Sequence, residues 1–153
     1  MILDKDNTCS NAQSITTGNI VSTDAIDLWR QAAVPTIPGG AVIGSGSASV
    51  IKDVGRGKKP TVLCQVVTAF ASMTSVQAQL IGATAADLTT GQVIYQETVA
   101  IPVATLVAGY KFRLSMPVGI TLRYLGFRFV VVGTGTGAVT AGLLYEEQDY
   151  PAV

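Results

Sequence analysis

The sequence predicts one all-β domain over residues 1–153, an antiparallel β-sandwich or jelly roll of about eight strands. Short segments rich in Val, Ile, Thr, Tyr and Phe recur between Gly, Pro and Ser residues, which is typical of strands and turns. Apolar and polar residues alternate along most of these segments, whereas the 3.6-residue period of a helix is hard to find. A chain of 153 residues that is 48% apolar can build one core without disulfides or a metal.

The first half of the chain predicts strands near residues 11–16 and 20–28, followed by two more at 62–67 and 76–80. The near-continuous apolar run at 62–67 favours a central strand that is covered on both faces. In the segment 76–80, two glutamines alternate with apolar residues, so one face is expected in the core and the other in solvent.

The next strand, residues 93–99, follows the predicted turn Thr89-Thr90-Gly91. Glu97 shares the parity of Val93 and Tyr95 on this strand. A carboxylate on an apolar face is costly to bury. We therefore expect Glu97 at a strand end or on a sheet edge.

The second half of the chain predicts strands at 110–116, 125–131 and 139–145. Aromatic and aliphatic residues alternate with Lys111 and Arg113 in the first of these and with Arg128 in the second, which places the cations on outward faces. Between the last two strands, Gly133-Thr134-Gly135-Thr136-Gly137 predicts a flexible turn. Residues 146–153 form an acidic C-terminal tail.

Residues 29–49 interrupt this rhythm with two prolines, four glycines and no sustained period, which predicts a long loop inserted in the domain. Loops of this length in compact domains are usually functional or disordered. This one carries Trp29, Val34 and Ile37. Two interpretations stay open: an arm that reaches a neighbouring subunit, or a lid over the open end of its own sandwich.

Composition argues against an enzyme. Histidine is absent, which removes the usual general base and a common metal ligand. Gly44-Ser45-Gly46 and Gly133–Gly137 precede no helical pattern, so neither forms a phosphate-binding loop. The acidic residues cluster at the termini without the shaped loop that a Ca²⁺ site needs. We expect no catalytic residues, no cofactor and no metal.

The ten acidic and ten basic residues cancel, so no overall positive field directs the chain to nucleic acid. Its charged fraction is only 13%, about half the usual share, which favours a protein that lies against a partner. The start of the chain lacks the pattern of a signal peptide, and no apolar run is long enough for a membrane span. Cys9 and Cys64 are expected as free thiols of a protein made in a cytoplasm.

Several segments resemble the jelly-roll capsid cement proteins of tailed bacteriophages. They are Ile101–Phe112, Arg123–Leu125, Gly137–Leu143, Ser10–Ile15, Ala25–Leu28 and Asp53–Gly57. The resemblance implies a decoration protein on the outer capsid surface of a virion, bound where subunits of the major capsid protein meet. It brings no catalytic residues, and it implies further copies of the same chain as partners, with a homodimer favoured over a trimer.

Two sets of residues are candidates for contact with a partner. Lys111, Arg113 and Arg128 are expected to form one basic face, and Trp29, Val34 and Ile37 an apolar contact. The alternatives are another β-sandwich virion component, such as a coat or tail subunit, and a carbohydrate-binding module. A carbohydrate module normally exposes aromatic residues, whereas aromatics are only 7% of this chain and most share the inward parity.

Overall fold

The structure is a computed structural model that describes residues 5–28 and 60–144, which form eight antiparallel strands in one sheet. The strands are β1 (Thr8–Ser14), β2 (Thr17–Val21), β3 (Ile26–Asp27), β4 (Thr61–Ala83), β5 (Val93–Glu97), β6 (Ile101–Pro102), β7 (Lys111–Leu114) and β8 (Tyr124–Leu144). Apart from strands, the described part holds two short 3-10 turns, Lys5–Asn7 and Val103–Thr105. The predicted all-β antiparallel class is confirmed.

Two long strands organise the sheet. β4 and β8 pair with each other from Thr61 opposite Leu144 to Ala83 opposite Tyr124. Different strands flank this pair along its length: β1 and β7 lie beside one part, and β2, β3, β5 and β6 lie beside the other. We call these parts, with their flanking strands, the first and the second layer.

The two layers face each other across one core. Inward residues of both layers belong to a single apolar cluster, which includes Val62, Cys64, Val66, Ala78, Leu80, Phe127, Phe129, Val139 and Leu143. At one side of the sheet, the Nε2 of Gln13 in the first layer donates to the carbonyl oxygen of Val21 in the second, at 2.7 Å. The N–H of Asp24 donates across the layers to the carbonyl oxygen of Cys9, at 2.8 Å. This arrangement is consistent with the predicted β-sandwich.

The sandwich has two different ends. β4 and β8 pass from one layer to the other through several register shifts between Val66 and Ser75. We call this the bend end and define it as residues 15–19, 67–74, 104–109 and 132–137. The opposite end, which we call the open end, contains both the first and the last residues of β4 and of β8. The described ranges also stop at this end, where the chain continues into residues 1–4, 29–59 and 145–153.

The prediction of a turn at Gly133–Gly137 is wrong, because these residues lie inside β8. The glycines in this segment allow β8 to approach β4 closely. A Cβ on Gly135 would lie 2.0 Å from the carbonyl oxygen of Ala71, and one on Gly137 would lie 2.3 Å from a ring carbon of Phe70. Glycine thus lets β8 cross directly over the bulged part of β4.

The predicted number of eight strands is reached by a different division of the chain. The expected strands 62–67 and 76–80 are two parts of β4, and 125–131 and 139–145 are two parts of β8. The short strands β2, β3 and β6 make up the difference. The alternation is confirmed on β7, where Lys111 and Arg113 are exposed between buried residues. In the segment 76–80 it is confirmed only in part, because Gln79, on the face expected in solvent, is buried. Glu97 ends the edge strand β5, as predicted.

A second, smaller apolar cluster lies on the outer face of the second layer. It consists of Ile81, Ala83 and Leu88, and Leu88 comes from the loop between β4 and β5. Leu88 is fully buried with a φ of 58°, and a Cβ on Gly126 would lie 2.3 Å from its Cδ1 atom. Because Gly126 has no side chain, Leu88 can pack against it. This packing holds the loop between β4 and β5 against the sheet.

Candidate contact surfaces

β7 presents two of the predicted cations on an edge of the first layer. Lys111 lies opposite Gln65 and Arg113 opposite Leu63, and both cations are exposed. Phe112 on the same strand faces the core. In the described part of the chain β7 pairs only with β4, so its cations border a free strand edge there.

Arg128 has a different environment. Its Nε donates to Oε1 of Gln79 at 2.7 Å, and its Nη1 donates to Oε1 of Gln92 at 2.8 Å. Gln79 in turn donates through Nε2 to a carboxylate oxygen of Glu97 at 2.8 Å. Gln79 is only 5% exposed, so this chain of hydrogen bonds satisfies a buried amide. Arg128 therefore ties β8 to β4 and, through Gln79, to the edge strand β5.

The structure does not bring the three predicted cations together. Lys111 and Arg113 point outward from the first layer, whereas Arg128 points outward from the second. The layers face each other across the core, so the cations lie on opposite sides of the sandwich. A parity argument can place each cation on an outer face, but it cannot tell on which layer that face lies.

The apolar contact residues Trp29, Val34 and Ile37 lie outside the described residues, as do the rest of the loop 29–49 and the tail 146–153.

An ion pair holds the chain in place just before residue 29. Arg123 binds Asp27 with two hydrogen bonds, from Nε at 3.0 Å and Nη2 at 2.8 Å. Its guanidinium also lies 5.0 Å from the ring centre of Tyr124. Sequence reasoning missed this pair because its members are 96 positions apart.

Asp27 also raises the pKa of Arg123, chiefly through these hydrogen bonds, which keeps the cation charged at every relevant pH. A bidentate arginine–carboxylate pair fixes orientation as well as charge. It therefore holds the end of β3 against the start of β8 at the open end.

The two ends of the sandwich differ in charge. None of the residues of the bend end is charged. Their exposed members are mainly threonine, serine, alanine and glycine, with three large apolar side chains, Val67, Val107 and Val132. The open end bears the Arg123–Asp27 ion pair and is the point at which the charge-rich segments of the sequence join the described chain.

The edge strand β5 offers a second apolar surface. Val93 and Ile94 are about half exposed, and Val99 beyond the strand is 82% exposed. Tyr95 lies between them and turns inward, where its hydroxyl oxygen accepts hydrogen bonds from the N–H groups of Thr121 and Leu122, both at 3.2 Å. Unlike the bend end, this edge contains a charged residue, because Glu97 is the last residue of β5.

The two cysteines are free and fully buried. Burial raises the pKa of the Cys9 thiol to about 12, helped by the nearby carboxylate of Asp24, and it raises the pKa of Cys64 well above its usual value. A thiolate is the reactive form of cysteine. Neither residue is therefore placed to act as a nucleophile.

Within the described ranges no group of three or more His, Cys, Asp or Glu side chains could hold a metal ion. The part of the chain that the structure describes has no helix long and apolar enough to cross a membrane. Its four phenylalanines are buried and its three tyrosines half-buried, so it presents no flat aromatic platform for a sugar.

A family model described as Bbp16 matches residues 9–145, which include all of the described strands except the first residue of β1. No curated protein sequence matches the chain.

Proposed function

The chain belongs to the Bbp16 family, whose name suggests a phage-related protein, and from this membership and the build of its sandwich we propose that it is a structural virion protein. In this proposal it binds the outside of a phage capsid at junctions between major capsid protein subunits and stabilises the shell. It is made in the host cytoplasm and acts on the outer capsid surface without enzymatic activity.

The observation that carries the proposal is the course of β4 and β8. Each strand runs through both layers, so the bend end and the open end are joined by continuous backbone and by the ladder between the two strands. Separating the ends requires breaking that ladder. A protein that bridges two capsid subunits needs this stiffness, because only a rigid block opposes their separation, and many weak copies then add by multivalency.

The open end suits a charged partner surface. The segments that join it carry ten of the twenty charged residues of the chain, including the basic run 52–59 and the acidic residues of 146–149. Charge pairs between subunits fix orientation and register more than they raise affinity. Lys111 and Arg113 extend this charge along β7, whose end lies opposite Val62 near the start of β4.

Reversing the charge of β7 tests this surface. The double variant Lys111→Glu/Arg113→Glu is expected to fold, since both side chains are exposed, and to bind capsids roughly tenfold more weakly. Binding is measured by co-sedimentation with capsids that lack the protein. The matched control Lys111→Gln/Arg113→Gln removes the charge without reversing it and should lie between the variant and the unmodified protein. Normal decoration by a folded reversal variant would exclude β7 from the contact.

The loop 29–49 gives a second test. Replacing residues 31–47 by a short Gly/Ser turn is expected to weaken capsid retention while the melting temperature of the free protein stays nearly unchanged. The physical reason is that Val34 and Ile37 each contribute about 1.5 to 3 kcal/mol if fully buried against a neighbour. Thermal unfolding and capsid co-sedimentation are measured side by side.

The control for loop length is Val34→Ser/Ile37→Ser in the full-length loop, which removes the apolar contact alone. It should weaken retention to a similar degree. If the shortened protein instead unfolds on its own, the loop belongs to the core of its own domain. A purified protein that assembles shells by itself would favour a coat subunit over the proposed role.

A further inference from the structure

Leu63 on β4 is covered on the outer side of the sheet. Its neighbours Val62 and Cys64 point into the core, so the side chain of Leu63 points outward from the first layer. It is nevertheless only 3% exposed, and it belongs to neither of the two apolar clusters described above. Val67, which follows the inward-facing Val66 on the same strand, is 45% exposed. Part of the chain therefore lies over the outer face near the open end but not farther along β4.

The two neighbours of Leu63 in the sheet do not account for this cover. Leu63 lies between Gly142 of β8, which has no side chain, and Arg113 of β7, whose side chain is exposed. The methylene groups of Arg113 can shield Leu63 from one side, but not from above the sheet. The cover must come from a segment that crosses the outer face.

The N-terminal turn Lys5–Asn7 already lies on this face. β1 begins at Thr8, opposite Gly142 of β8. Both neighbours of Gly142 on β8 point into the core, so position 142 faces outward, and a Cβ there would overlap the carbonyl oxygen of Asn7. Asn7 is therefore above the outer face, over the residue that pairs with Leu63. Its Oδ1 atom is buried as well, and no described residue donates a hydrogen bond to it.

From these features we infer that residues 1–4 form an N-terminal arm, which continues from this turn across the outer face of the first layer and packs Ile2 and Leu3 on Leu63. From its start above β8, the arm crosses β4 after one strand spacing of about 4.8 Å and reaches β7 after two. Four extended residues span about 13 Å, which is sufficient. The row Met1-Ile2-Leu3 supplies the apolar side chains that a buried leucine needs as neighbours.

The position at which each segment joins the sheet favours the N-terminal arm over the other segments outside the described ranges. Residues 29–59 join β4 through Pro60, and residues 145–153 follow Leu144 of β8, so both join at the end of a strand. The arm instead joins a turn that is already above the sheet. Its charge also fits, because Asp4 is its only charged side chain and the cations of the neighbouring strand are Lys111 and Arg113.

The arm explains why the sequence of β4 is apolar on both faces near its start. The apolar run 62–67 predicts a strand that is covered on both sides. The structure confirms this for Leu63 and not for Val67. The contact is made within one chain, so the inference goes beyond the proposed capsid binding and does not depend on it.

The reactivity of an introduced thiol tests the arm. Leu63→Cys is made in the full chain, and its reaction with a maleimide is followed under native conditions. The two natural cysteines are buried, so the introduced thiol is the one whose rate reports on the cover. We expect slow labelling with the natural arm. In the background Ile2→Ser/Leu3→Ser, labelling should be roughly tenfold faster or more, because the apolar contact that holds the arm is lost.

Val67→Cys is the matched control, since Val67 is exposed on the same strand, and it should react rapidly with either arm. Labelling of the thiol at position 63 as fast as that at position 67, with the natural arm present, would overturn the inference. So would protection that survives Ile2→Ser/Leu3→Ser, because the cover would then come from another segment. Circular dichroism and a melting curve check that each variant is folded.

If Leu63→Cys does not fold, an oxidative cross-link from the arm to β7 replaces it. Arg113 lies directly opposite Leu63 and is exposed, so Arg113→Cys is expected to fold. Combined with Ile2→Cys or with Leu3→Cys, it should form an intramolecular disulfide, which requires a Cα separation of less than about 7 Å. The absence of this bond from both combinations would show that the arm does not cross the face. Capsid co-sedimentation is measured separately, so failure of the proposed function leaves a different signature.

Discussion

Gly135→Ala is expected to destabilise the domain by about 3 kcal/mol or more, the largest effect of any single methyl group added to the described chain. The new Cβ would lie 2.0 Å from the carbonyl oxygen of Ala71. That oxygen belongs to the backbone of β4, so no side-chain rotation can relieve the clash. The two long strands would have to separate at the point where they cross between the layers.

Gly119→Ala is the matched control for Gly135→Ala. Gly119 has a φ of +84°, which is unfavourable for alanine, but a Cβ there would meet nothing within 4 Å. Its expected cost is about 1 kcal/mol, from backbone strain alone. Urea unfolding of both variants gives the comparison. Equal losses of stability would mean that the bend end has room to yield, contrary to the close crossing described above.

The second large effect is a loss of stability in alkaline solution. Cys9 and Cys64 keep their protons in the folded protein, because burial raises both pKa values above the ordinary value of 9.0. In the unfolded chain the thiols ionise near that ordinary value. Above about pH 9 the folded state therefore binds more protons than the unfolded state, and raising the pH favours unfolding. Below that pH the two thiols make no such contribution.

The expected loss of unfolding free energy between pH 8 and about pH 10.5 is about 2 kcal/mol from Cys9, whose folded-state pKa is about 12, and Cys64 adds a loss in the same direction. Urea unfolding under reducing conditions measures it, with Cys9→Ala/Cys64→Ala as the control. That variant starts less stable but should lack this part of the alkaline slope, while lysines and tyrosines titrate equally in both proteins. Parallel pH profiles would show that water reaches the thiols in the folded state.

Oxidation is not expected to alter this result. β1 and β4 lie on either side of β8, with Cys64 directly opposite Ala141 and Cys9 next to the partner of Ala141 on the other side. The two cysteines are thus about two strand spacings, or roughly 10 Å, apart. A disulfide needs a Cα separation of less than about 7 Å. The thiols therefore stay separate even though they share one part of the core.

The strands were predictable where a two-residue period persists. Phe112 and Leu114 on β7, and Phe127 and Phe129 on β8, are buried as their parity indicates. The continuity of β4 was not predictable, because bulges and the positive φ of Ser72 interrupt its period at the bend end.

The candidate site residues were predictable only in part. The parity of a residue in a strand predicts to which face its side chain points, but not which residues that side chain contacts. Arg128 points outward as expected, yet its partner Gln92 is brought near by the loop that Leu88 anchors. The role of Gly137 likewise depends on Phe70, a residue that lies 67 positions earlier in the sequence. Local patterns carry no information about such distant pairs.

The long pairing of β4 with β8 also has a consequence for how the chain reaches its native state. The paired residues are at least 41 positions apart, from Ala83 and Tyr124, and up to 83 positions apart, from Thr61 and Leu144. Such non-local pairing raises contact order and slows folding, since the intervening chain must close before the ladder forms. Until then residues 61–83, a β-prone stretch without a single charge, remain unpaired in the nascent protein. The yield of folded protein in the cell should therefore depend on temperature and on the rate of synthesis, because aggregation of this stretch competes with the pairing of β4 and β8.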